Sequence, residues 1–179
     1  DNVWAILYFD QFTHKLEGLR YLNADTLVKL KPYSLDYRGE LVEPKQLSRS
    51  EWRAVEEGEQ RQIFDLTNII RERFSLEPLK WNEKVAEVAF GHSKDMGVHN
   101  YFSHTSPTEG DLGNRFHKAG IMYMQAGENI AAGYTDGIAA TFGWLNSKDH
   151  RKNLLHKTYA DLGVGVYQKQ YTQDFLKPF

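Results

Sequence analysis

From residue 48 onward apolar positions recur every three or four residues, whereas before it they fall in short blocks. The block Val3 to Phe9 is apolar and aromatic, and Gly18 to Leu22 and Thr26 to Leu30 follow as further short strand candidates. Pro32, Gly39 and Pro44 punctuate the stretch after them, which places a boundary near residues 45–50. Ser48 and Glu51 have the spacing of a capping box, and Ile63, Leu66, Ile70 and Phe74 continue at helical intervals. A long amphipathic helix is expected there, with an interruption near Gly58. Asn82 caps a second helix whose apolar face is Val85, Val88, Ala89, His92 and Met96 and which ends near Gly97. Asp111 starts a short helix carrying Leu112, Phe116 and Ala119 and closed by Gly120; Asp136 starts another carrying Ile138, Phe142 and Leu145. A further short helix is expected to begin near His150.

Two strands close the chain. Leu162, Val164 and Val166 alternate with Gly163 and Gly165, and Tyr171 to Leu176 is rich in aromatics. Together they are expected to form a hairpin. The glycines strip one face of the first strand of side chains, which suits close approach by a helix or another backbone. The fold class is therefore α+β, with helices on a small sheet over residues 48–179. Residues 1–47 form a short β-rich segment, too short for a core of its own. It is expected to be the tail of a larger β-rich module.

Composition narrows the function classes. With 41% hydrophobic and 26% charged residues in 179, the chain can offset its conformational entropy with one core. A net charge of −2 and the lack of a dense Lys/Arg run argue against nucleic acid as a partner. No stretch approaches the length of a membrane span. With no cysteine, disulfides, thiol nucleophiles and thiolate metal sites are excluded, so a metal would need His and carboxylate ligands.

Seven histidines raise the question of acid–base or metal chemistry. His92 lies on an apolar stripe and reads as a hydrogen-bonded core residue; His14, His99, His117 and His156 have the neighbours of solvated faces or loop anchors. His104 differs, lying in a loop where Tyr101 and Phe102 anchor the backbone and short polar side chains leave the imidazole accessible. Glu128 sits between Gly127 and Asn129-Ile130, a setting for a half-buried carboxylate in need of a partner. His150, just after a tryptophan-bearing helix, is placed to meet the other two.

The succession FSHTSP, GENIAAG, WLNSKDHRKNLL, LGVGV and YTQDF resembles the CAP superfamily of cysteine-rich secretory, antigen 5 and pathogenesis-related proteins, bacterial secreted members above all. The likeness covers residues 52–179. The preceding GLRYLNADTLVKLKPYSLDYRGE resembles the end of a CAP-associated β module. The resemblance implies an α-β-α sandwich and an extracellular or cell-envelope location. It also implies a cleft where two histidines and two acidic residues cluster, sometimes around zinc or another divalent cation. His104 and Glu128 match two of these positions. Lys148 stands where animal members carry the second carboxylate and Gln170 where they carry the second histidine; His150 is inferred to supply the missing imidazole. His104, His150 and Glu128 are then the candidate metal ligands.

Three functions fit this reading. The first is a secreted module whose cleft binds a small apolar ligand, a peptide or an envelope component without breaking a bond, since no Ser-His-acid spacing is convincing. The second is a metal-assisted hydrolase using the same cleft. The third is a structural network in which Glu128 and the imidazoles pin loops together.

Overall fold

The computed structural model describes residues 3–30, 36, 38–40 and 45–179. Helix α2 (Arg49–Arg73) starts with the full capping box: the Ser48 hydroxyl accepts from Glu51 N and Glu51 accepts from Ser48 N. It runs through Gly58 without a break, because that glycine lies on open surface and needs nothing but helical backbone. Asn82, Asp111 and Asp136 cap α3 (Glu83–His99), α4 (Leu112–Lys118) and α5 (Gly137–Leu145), each accepting a backbone N–H three residues on. Helix α3 passes Gly97 and ends at Asn100, in the left-handed conformation at φ 54°. Helix α6 (Lys148–Leu154) holds His150.

The central sheet has the order β3-β5-β6-β4, from β3 (Lys80–Trp81), β5 (Asp161–Tyr167), β6 (Gln170–Lys177) and β4 (Gln125–Ala132). The expected β5–β6 hairpin is present, with β4 antiparallel to β6 along the sheet edge and β3 parallel to β5. Neither β3 nor β4 was among the expected strands. The glycine pattern of β5 has the anticipated consequence: α3 lies directly on Gly163 and Gly165, its backbone at Ala86 and Phe90 occupying the space of the absent side chains. On the opposite face Leu162, Val164, Tyr171 and Phe175 join Ile63 and Ile70 of α2 and Trp144 and Leu145 of α5 in the main core. Three layers result, α3 with α4, the sheet, and α2 with α5 and α6: an α-β-α sandwich.

Strands β1 (Val3–Phe9) and β2 (Leu16–Asn23) form a separate two-stranded sheet. The expected strand Thr26 to Leu30 is instead part of α1 (Ala24–Leu30), because the Asn23 side chain accepts from Thr26 N and turns the chain into a helix. Pro32 and Pro44 lie outside the described residues. The hairpin docks on the sandwich through specific contacts. Tyr8 stacks on Phe142 with ring centroids 4.2 Å apart, and Gly18 makes room for that same ring. Arg151 pairs with buried Asp10 at 2.8 Å, Arg73 with Glu17 at 2.9 Å, and Arg20 with Asp136.

Candidate functional site

Glu128 stands in the middle of β4, the edge strand, and its side chain is almost fully buried. Successive strand residues face opposite layers, so Glu128 points toward α3 and α4 while Asn129 points toward α2 and α6. Asn129 donates to the His150 carbonyl at 3.1 Å, and Asn153 of α6 donates to the Glu128 carbonyl at 3.0 Å. These bonds fasten α6 to the sheet edge, close enough to the loop after α3 for the His104 charge to act on His150.

That loop carries His104, held from three directions. His92 Nε2 lies 3.0 Å from the Ser103 carbonyl and donates to it. Asp95 accepts from Tyr101 and Ser106. Arg115 of α4 donates to the carbonyls of His104 and Gly110, each at 3.0 Å. His104 Nδ1 then meets Glu128 Oε1 at 2.7 Å, and because a carboxylate accepts, Nδ1 carries the proton and Nε2 is left outward on a side chain 56% exposed. The other carboxylate oxygen, Oε2, accepts from the buried Arg115 guanidinium. Burial would raise the Glu128 pKa, but the His104 hydrogen bond and the Arg115 charge outweigh it and hold the carboxyl below its usual range.

His150 Nδ1 lies 2.8 Å from Ser147 Oγ. Its affinity for a proton is lowered by burial first and by the neighbouring His104 second, so it is neutral near pH 7. His104, Glu128 and His150 are thus brought to one edge of the sheet. The other two expected cleft residues stand apart. Lys148 opens α6 on an exposed surface with Lys152 and Lys157. Gln170 pairs with Ala132 while Glu128 pairs with Asp174, four residues further along β6, roughly 13 Å away at the rise of an antiparallel strand. The Gln170 side chain lies instead against Gly97 of α3.

Two residues of the centre were missed by the sequence reading. Arg115 saturates Glu128, and Asp174 faces it across the β4–β6 ladder. Asp174 is fully buried and neither of its oxygens receives a hydrogen bond. Burial, followed by the adjacent Glu128 charge, pushes its pKa well above the carboxylate range. That direction favours the protonated form of Asp174, set beside the Glu128 carboxylate. His92 is the buried, hydrogen-bonded residue expected, yet its Nε2 lies 3.9 Å from Glu128, inside the same cluster.

This donor set does not suit a divalent cation. Both Glu128 oxygens are engaged, one by His104 and the other by the Arg115 guanidinium, a positive charge already at the carboxylate. Among the described residues no three His, Asp or Glu side chains stand where they could hold a metal. The expected His104, His150 and Glu128 ligand set is thus not assembled as one.

Comparison with known proteins agrees with this architecture. The chain is 50% identical over 176 residues to the uncharacterized membrane protein YlbC of Bacillus subtilis, covering 98% of the chain and 51% of that protein. An extracellular protein containing a SCP domain from Bacillus anthracis superposes with a TM-score of 0.91 at 52% identity, over 98% of the chain and 57% of that one. A cysteine-rich secretory protein from Staphylococcus aureus shares the fold at 23% identity, TM-score 0.80, over 98% of the chain and 55% of its own. The chain spans about half the length of these relatives. The model of the cysteine-rich secretory protein family matches residues 64–176, and this cysteine-free chain belongs to that family, the CAP family.

Proposed function

We propose that the domain works outside the cell or in the cell envelope as a binding module. Its His104–His150 edge engages a peptide or other envelope component without breaking a bond. The observation that carries this reading is the saturation of Glu128: with both oxygens bonded to protein, it orients His104 rather than acting on a ligand. What remains outward is an exposed imidazole and a neutral half-buried one, groups suited to hydrogen bonding with a polar ligand. No helix among the described residues is long and apolar enough to cross a membrane, so attachment to an envelope would come from binding or from other parts of a longer protein.

The test is sedimentation of the purified domain with isolated Bacillus subtilis cell envelopes. His104→Ala and His150→Ala are each expected to weaken binding about tenfold, or ~1.4 kcal/mol, with unchanged melting temperature. Equal binding by wild type and both variants would sink the proposal. Zinc affinity that falls in both variants would replace it with the metal-assisted reading. If Glu128→Gln lowers the melting temperature while no binding depends on the histidines, the structural reading takes its place.

A further inference from the structure

Away from the Glu128 centre, a groove of about 830 Å³ runs between the first turns of α2, the middle of α3 and the β5–β6 turn. Its lining shares no residue with the cluster of His104, Glu128, Arg115 and His150. The turn is built at some cost. Gln168 adopts the left-handed region at φ 52°, a conformation disfavoured for a residue with a side chain by roughly 1–2 kcal/mol. Glu56 of α2 holds it there by accepting from Gln168 N at 2.8 Å, which fixes Tyr167 and Lys169 on the groove wall.

The lining combines ring faces with surplus positive charge. Trp52 is 52% exposed at the rim and Tyr167 is half-buried opposite. Arg49, Lys94 and Lys169 all line the groove, and none has a carboxylate within ion-pair distance among the described residues. The acidic members are already committed or partly neutralised. Glu56 is tied to the turn, and burial beside Asp136 pushes the Glu59 carboxyl up to about 7, so near neutrality it can both donate to and accept from a hydroxyl.

We propose that this groove binds an acidic oligosaccharide, with sugar rings lying on Trp52 and Tyr167 and the acid groups meeting Arg49, Lys94 and Lys169. The aromatic faces accept the apolar C–H side of a pyranose, while unpaired cations select a chain that carries carboxylates or phosphates. A purely anionic peptide would use the cations and leave the rings idle. A neutral glycan would do the reverse.

Titration calorimetry at low salt with hexagalacturonate and with a phosphomannan hexasaccharide tests the two sources of acid group. Binding of either supports the site and identifies the source, and binding of neither overturns it. Neutral maltohexaose and hexaglutamate are expected to bind at least about tenfold more weakly than the acidic glycan, and Trp52→Ala and Lys169→Glu each to weaken the glycan by about tenfold. Both side chains are on the surface, so thermal melts of the variants should match wild type. Hexaglutamate binding as tightly as the glycan, or wild-type affinity in Trp52→Ala, would reduce the groove to an unspecific positive patch and overturn the proposal. Binding to this groove is read independently of the His104→Ala and His150→Ala variants, which are expected to leave it unchanged.

Discussion

Gly165→Ala is expected to cost about 4 kcal/mol or more, placing it among the severe single substitutions. A Cβ at this position falls inside 3.0 Å of Phe90 N and of the Ala89 carbonyl group, all of them α3 backbone. Backbone cannot rotate away as a side chain does, so α3 must lift off the sheet, and the packing of Val85, Ala86 and Ala89 goes with it. For a domain of this size the loss corresponds to a fall of roughly 8–16 °C in melting temperature, measurable by circular dichroism. Gly58→Ala provides the contrast. Gly58 lies in the middle of α2 with nothing near its missing side chain, so alanine there is expected to raise stability by about 0.5–1 kcal/mol. Equal effects at the two glycines would mean that the α3–β5 approach does not depend on bare backbone.

That contrast also separates what was legible in the sequence from what was not. The alternation of Gly163 and Gly165 with Leu162, Val164 and Val166 announces a strand with one face reserved for backbone, and α3 fills that face. The caps at Ser48, Asn82, Asp111 and Asp136 were equally plain, because a cap is a local chemical event between a side chain and an N–H three residues away. Strand β4 was not legible. It is an edge strand that buries a carboxylate toward one layer and an amide toward the other, so its stretch Gly127-Glu128-Asn129-Ile130 shows no apolar alternation. Thr26 to Leu30 failed for the opposite reason: its composition suits a strand, but a single bond from Asn23 nucleates a helix.

The site was half legible on the same grounds. His104 and Glu128 announce themselves by local context. Arg115 and Asp174 join them only because the sheet order sets β4 beside β6 and α4 over both, a long-range fact that no spacing encodes. One signal was available. Thr172 and Asp174 alternate with Tyr171, Gln173 and Phe175, so either register of β6 buries polar groups, and a buried acid requires a partner.

Asp174→Asn tests that partnership and carries the second large effect. With its folded pKa raised by burial and by the Glu128 charge, Asp174 keeps a proton in the folded protein that the unfolded chain, with its ordinary value of 3.8, releases above about pH 4. A carboxyl whose folded pKa is raised contributes stability that is fully present below the unfolded value and is lost as pH rises through the folded one. Wild type should therefore lose stability relative to the variant at up to about 1.4 kcal/mol per pH unit above pH 4. The Asn amide cannot titrate, and its N–H can donate toward the Glu128 carboxylate, so the variant fills the same space and sheds the pH dependence. Urea unfolding of both proteins at pH 5, 6.5 and 8 measures the difference. A gap that widens in favour of Asp174→Asn as pH rises identifies the buried proton. A constant gap means that Asp174 is ionised when folded, and two adjacent carboxylates would then share the single Arg115 guanidinium, with Glu128 no longer free to hold His104 as tightly.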